Sequence, residues 1–313
     1  MRSPRFSSCY WISPEKIVYL TVKSFFGIFG AILLMGLLAR PAGAQSVSDF
    51  PGQVEVFAGV DIHYRNIMAS QHVYNLLIYA TPAVKWHPGK DWILSVQGAI
   101  PVVNHFGDYY RYPRLNMAVV SKELYWGAVS CKFSGGIFSR QRYGLDAKCQ
   151  WAVTPWFALE GQLGFTGYYE MTDHWAFSPM DRLTGRLSAC FYLPRSQTEF
   201  RLSGGRYIYA DYGVQLEWLQ HFSRFCTVGA FVQAGNRYGS FIGYNSVGGG
   251  AKLILAIPWK WQATRRFTLR PASNFRLTHD MKADEYGLRM YATDPEENER
   301  SGHFARSKWG FGR

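Results

Sequence analysis

The feature that most constrains this chain is a two-residue rhythm. In residues 53–65 the even positions are Val54, Val56, Ala58, Val60, Ile62 and Tyr64, while the odd ones include Gln53, Glu55, Asp61, His63 and Arg65. Successive side chains of a strand point to opposite faces, so this stretch reads as a strand with one apolar and one ionisable face. The pattern recurs. In 157–169, Phe157, Leu159, Leu163, Phe165 and Tyr169 oppose Glu160, Gln162 and Thr166; in 182–193, Leu183, Leu187, Ala189, Phe191 and Leu193 oppose Arg182, Thr184, Arg186 and Ser188. Segment 199–222 interleaves Arg201, Arg206, Asp211 and Glu217 with Leu202, Val214, Leu216 and Trp218 in the same way.

Weaker alternation marks 75–86, 92–102, 129–139, 144–151, 199–207, 213–218, 224–234, 246–257, 265–277 and 285–290, with a short strand near 115–120. Together these predict 12 to 14 strands. Aromatic residues make up 17% of the chain beside 31 glycines, a composition suited to strands and turns. Links at 87–90, 153–155 and 194–197 are tight, whereas those at 104–114, 170–181 and 236–245 are longer. Short turns alternating with longer loops between antiparallel strands of about ten residues are the pattern of an outer-membrane β-barrel. The expected fold is therefore all-β: a transmembrane antiparallel up-and-down barrel in a single domain, residues 45–293, with 294–313 as a polar C-terminal tail.

Strand pattern alone does not separate such a barrel from a water-soluble β-sandwich, which shows the same alternation with its apolar face inward. Aromatic residues near strand ends favour lipid, as do the mid-strand charges Glu55, Asp61, Lys132, Asp146, Lys148, Glu160, Arg186, Arg201, Glu217 and Lys252, which suit a wet interior. The chain ends SKWGFGR, without the terminal aromatic many bacterial barrels carry.

The first residues read as an address. Arg2, Arg5, Lys16 and Lys23 precede the apolar run FFGIFGAILLMGLL, which is followed by ARPAGAQ. A cationic start, a short apolar core and small residues at a cleavage site define a secretory signal peptide, here residues 1–44. The run of 14 residues falls short of the roughly 20 a spanning helix needs. Removing 1–44 takes the formal charge from +12 to +8. An exported chain rarely meets nucleic acid, and the remaining basic residues are spread singly, so lipopolysaccharide head groups, acidic glycans or a charged lumen account better for the basic excess; outer-membrane lipid and lipopolysaccharide are the expected partners. Four cysteines remain, Cys131, Cys149, Cys190 and Cys226, with no zinc or redox spacing; they are too few for a disulfide scaffold and read first as small apolar or surface-facing residues, and sequence does not separate the three pairings they permit. Cys131 and Cys149 fall on the apolar faces of adjacent predicted strands, where a cross-strand pair is one possibility.

No catalytic constellation emerges. His63 lies beside Asp61 and His174 beside Asp173, but neither has a serine in a nucleophile context, and such a histidine reads first as a paired interior residue. Glu160 and Glu217 are the one carboxylate pair considered for glycoside hydrolysis. No cluster has metal-ligand spacing, and no cofactor is implied. VGGGAK superficially suggests a phosphate loop, but Gly248, Gly249 and Gly250 sit in a predicted strand.

The stretch RLSGGRYIYADYGVQLEWLQHFSRFCTVGAFVQ, followed by FIGYNSVGGGAKLILAIPWK, resembles the YjbH-like outer-membrane barrels associated with exopolysaccharide production in Gram-negative bacteria. The matching features are an Arg-led strand, Gly205 and Tyr207, a bend at Asp211 and Gly213, Glu217, Phe222 at a turn, Gly229, and a strand ending in Ile257-Pro258. The match covers 199–260; His221 and Arg224 depart from it, and the chain is shorter than the larger members. The resemblance implies a non-enzymatic outer-membrane protein of exopolysaccharide biogenesis or export, working with polysaccharide and envelope biogenesis proteins. The alternatives are a general diffusion porin or structural barrel, and a barrel enzyme acting on lipid or glycan. Candidate interior and glycan-contact residues are Arg182, Arg186, Arg201, Arg206, Asp211 and Glu217. The competing reading pairs the arginines with Glu199 and Glu217 to stiffen a closed interior.

Overall fold

The computed structural model describes residues 52–65, 75–89, 91–105, 111–171, 175–222, 226–236, 245–255, 261–264, 267–270, 275–280, 288–295 and 297. The expected leader, 1–44, and residues 298–313 of the expected tail lie outside them, as do His174 and Arg224.

The described residues form β1 (Gln53–Arg65), β2 (Asn75–His87), β3 (Trp92–Asn104), β4 (Arg114–Trp126), β5 (Val129–Phe138), β6 (Arg142–Thr154), β7 (Phe157–Met171), β8 (Trp175–Phe177), β9 (Arg182–Leu193), β10 (Thr198–Arg206), β11 (Tyr212–His221), β12 (Cys226–Asn236), β13 (Asn245–Leu255), β14 (Trp261–Thr264), β15 (Phe267–Arg270) and β16 (Phe275–Asp280). From β1 to β13 each long strand pairs antiparallel with the next, and only the short β8 stands aside, on β7. This is the up-and-down antiparallel sheet that the alternation predicts. One forecast needs correction: Leu288, Arg289 and Met290, placed in a strand by their alternation, lie outside any strand. Of the expected strand 265–277, the described residues belong to β15 and β16.

The edges of the sheet depart from the expected all-antiparallel closed barrel. β1 and β13 do not pair with each other among the described residues. β16 lies between them, antiparallel to β13 over six residues and parallel to β1 over four, Ile62 to Arg65. The physical reason is direction: β16 runs opposite to β13 and therefore alongside β1, so the seam cannot continue the antiparallel ladder.

The two faces sort by polarity in an unusual sense. Outward-pointing Val96, Leu145, Leu202, Val214, Leu216 and Val232 are 50–62% exposed, whereas Lys132, Asp146, Lys148, Glu160, Arg186, Arg201 and Glu217 are 5% exposed or less. Apolar groups face out and charges face in, the inverse of a water-soluble fold. Exposed Trp86, Trp92, Trp156, Trp218 and Phe222 lie at one end of the sheet, the end that carries the tight turns. At the other end are most of the longer links. One link there is tight: three residues, 139–141, join the paired Phe138 and Arg142, and two of them, Arg140 and Gln141, take left-handed φ of 57° and 54° to reverse the chain.

Cys131 and Cys149 are directly opposite in the β5–β6 register and form a disulfide, with Cα atoms 4.1 Å apart. This corrects the reading of these two as unpaired small residues: the antiparallel register sets them face to face, the one cross-strand pair the sequence offered.

Candidate functional site

The buried face of β7, β9, β10 and β11 holds one charge network. Arg201 donates from one terminal nitrogen to Glu160 Oε2 at 2.6 Å and from the other to Glu199 Oε1 at 2.9 Å. Register explains the convergence: Arg201 sits opposite Glu217 on β11, and Glu199 is two residues away on its own strand. The second Glu199 oxygen meets His221 Nε2 at 3.3 Å, and His221 Nδ1 lies 2.9 Å from Thr227 Oγ1. Beside this network Arg186 donates to Gln162 Oε1 at 3.2 Å, and Gln162 donates in turn to Asp146 Oδ1 at 2.9 Å. Ser188 and Ser203, opposite each other on β9 and β10, share a hydrogen bond of 2.9 Å. Charges so far from water persist only when paired and hydrogen-bonded, and here neighbouring strands supply the partners.

The buried face of β2, β5 and β6 is answered differently, by the C-terminal segment 288–297. Its first part docks by backbone and ring. Leu288 N–H donates to Asp211 Oδ2 at 2.6 Å, Ile208 N–H to the Arg289 carbonyl at 3.1 Å, and Ser139 N–H to the Ala292 carbonyl at 3.1 Å; Ala292 N–H donates to Ser139 Oγ at 2.9 Å. Tyr291 stacks on Phe138 with centroids 4.9 Å apart and donates its hydroxyl to Asp146 Oδ1 at 2.8 Å. Strand glycines make the room. A Cβ on Gly164 would lie 1.6 Å from the Tyr291 hydroxyl, and one on Gly213 would lie 2.4 Å from Leu288 Cδ2. A side chain at either position would exclude the segment.

Its last part docks by charge. Asp294 Oδ2 lies 2.9 Å from Lys85 Nζ and 3.3 Å from Lys132 Nζ. Glu297 takes Lys132 Nζ at 3.1 Å on one oxygen and Lys148 on the other. Lys148 also donates to Thr293 Oγ1 at 2.9 Å. Burial works to raise the Glu297 carboxyl, but Lys132 and Lys148 overcome it and hold the group down at about 2. Burial raises the phenols of Tyr207, to about 12, and of Tyr291, beside which Asp146 adds to the effect.

Of the residues singled out by sequence, Arg186, Arg201 and Glu217 come together on the buried wall. Arg182 is apart from them, its side chain 43% exposed and 3.7 Å from Asp181. Arg206 lies over the Tyr212 ring at 5.7 Å, and Asp211 anchors Leu288. Glu160, one of the two carboxylates considered for hydrolysis, is held by Arg201. Among the described residues no group of three His, Cys, Asp or Glu side chains is placed to hold a metal ion. Sequence reasoning missed Lys85, Tyr291, Asp294 and Glu297. Asp294 and Glu297 open the segment expected as a polar tail, yet they are 5% exposed. The one available signal was the acidic run DPEENE, opposite in sign to the rest of the chain.

No protein-family model, curated protein or solved structure matches this chain.

Proposed function

We propose that this is an exported protein of the Gram-negative outer membrane, with a cleaved leader at 1–44, whose strands close into a barrel across the bilayer. In this reading it takes part in exopolysaccharide biogenesis or export and performs no catalysis. The observation that carries it is the inversion of faces: Leu202, Val214 and Leu216 are more than half exposed while Arg201 and Glu217, opposite each other in register, are at most 1% exposed. Water would make that outer surface an aggregation hazard, whereas lipid makes it the natural environment. Strands of 9 to 15 residues, the short β8 and the β14–β16 pieces aside, match the roughly 9–11 residues a tilted strand needs to cross the hydrocarbon. The rim of tryptophans at the tight-turn end suits the bilayer interface. Lipid and lipopolysaccharide are then the partners of the outer face. The resemblance of 199–260 to YjbH-like barrels supplies the polysaccharide context.

The docked segment 288–297 favours a plugged barrel over a general diffusion porin, because the charged interior is already filled and paired. The test has three arms. The protein should stay with the outer-membrane fraction through carbonate extraction and conduct little in planar bilayers. Deleting its gene should reduce exopolysaccharide, and the wild-type gene should restore it. Release by carbonate would remove the membrane reading; unchanged exopolysaccharide would remove the polysaccharide role; large steady conductance would favour the porin.

A further inference from the structure

The lysines of β2, β5 and β6 are paired with two carboxylates of the chain's own segment 288–297. Lys85, Lys132 and Lys148 reach the buried face from three strands, are 7%, 3% and 2% exposed, and converge on two carboxylates, Asp294 and Glu297, three positions apart in sequence. Nothing in the local β5–β6 ladder requires two lysines directly opposite each other, yet Lys132 and Lys148 are in register. Like charges so placed repel, and the pair is tolerable only with an anion between them. Glu297 is that anion, with one oxygen on each lysine.

The two parts of segment 288–297 are held by different forces. Leu288 to Ala292 are fixed by backbone hydrogen bonds, by the Phe138–Tyr291 stack and by glycine sockets. From Thr293 to Glu297 the contacts to the strands are made by ammonium groups. A competing anion can replace the second set without disturbing the first. The chemistry of the occupant is also specific, since Lys148 holds a hydroxyl, Thr293 Oγ1, and a carboxylate together, and that hydroxyl lies 3.1 Å from Glu297 Oε2. A carboxylate beside a hydroxyl within one flexible chain is what a uronic-acid residue of a glycan presents.

We infer that Lys85, Lys132 and Lys148 form a carboxylate-binding site which Asp294 and Glu297 fill in the resting protein, and which takes a uronate-bearing glycan when that acidic end is displaced. The inference rests on the polysaccharide reading above and gives it a substrate class.

The experiment measures binding of a short oligogalacturonate to the full-length protein in detergent micelles, where neither membrane insertion nor conduction is needed. Asp294→Asn with Glu297→Gln should bind it about tenfold tighter than wild type, because the internal competitor is gone. Adding Lys132→Gln and Lys148→Gln should abolish the gain, and a neutral maltodextrin of equal length should bind none of the variants. Should the double variant fail to fold, Glu297→Gln alone, which leaves Asp294 on Lys85 and Lys132, should give a smaller gain in the same direction. No gain in either variant, or a gain that survives loss of the lysines, overturns the site. Tighter binding of oligoglutamate than of oligogalacturonate overturns the glycan and points to an acidic peptide. Carbonate extraction of the same protein from membranes reports on the outer-membrane reading separately, so the two can fail independently.

Discussion

The buried face has two halves, and they solve the same problem in different ways. On β7, β9 and β10 the arginines find their partners within the wall: Arg201 is clasped by Glu160 and Glu199, and Arg186 leans on Gln162. On β2, β5 and β6 the lysines face the carboxylates of Asp294 and Glu297, more than 140 positions away along the chain. A guanidinium between two fixed acids is a brace, because its planar fork bonds both at once and has no reason to let go. An ammonium facing a carboxylate on a separate segment is a clasp, because each partner has its own backbone and can part from the other. The first half should govern whether the sheet stands; the second should govern what sits inside it.

The largest effect should come from breaking the brace. Arg201→Met leaves Glu160 and Glu199 buried without their cation, a loss of about 3–5 kcal/mol, and should lower the thermal midpoint of the folded protein in micelles. If Lys132→Met is equally damaging to the whole sheet, the distinction between brace and clasp fails. Next is Gly164→Ala, whose Cβ would overlap the Tyr291 hydroxyl at 1.6 Å. Overpacking of this kind costs about 1–3 kcal/mol. The predicted result is proteolytic cleavage within the C-terminal segment while the β-sheet circular dichroism is retained; loss of both together would mean that the segment is integral to the sheet.

Acid should act on the clasp selectively. Glu297 is held at about 2 against an ordinary 4.5, so its contribution is complete above about pH 4.5 and is lost as pH falls toward 2. The groups around it are Lys132, Lys148, Asp294 and, through Lys148, Asp146. Hydrogen exchange of the Thr293 amide, which donates to Glu297 Oε2 at 2.7 Å, should accelerate relative to that of the Ile208 amide, bonded to Arg289, over this range. In Glu297→Gln the acid dependence should vanish. The smallest effect belongs to Arg182→Ala. Its pair with Asp181 is exposed at 3.7 Å, and such pairs contribute about 0–1 kcal/mol. A midpoint shift as large as that of Arg201→Met would place Arg182 in the brace after all.

Much of this was legible from alternation alone. The strands 53–65 and 182–193 match β1 and β9 residue for residue, because one face of each must be apolar throughout, and a slip of one residue would turn every side chain over. The same rhythm assigned Arg186, Arg201 and Glu217 to one face. Their partners were less legible. Pairing Arg201 with Glu160 needs β7 beside β9 and β9 beside β10, an order that skips β8 and that local pattern does not encode.

What the sequence by itself determined is the period of two and its polarity, which depend only on neighbours along the chain: a sheet with one charged and one apolar face. Tertiary structure alone decided which face is buried, which cysteines join, that β16 enters the seam parallel to β1, and that Asp294 and Glu297 meet three lysines. Each of those depends on residues far apart in sequence meeting in space, and charge complementarity over 149 or more positions leaves no periodic trace for a local reading to find.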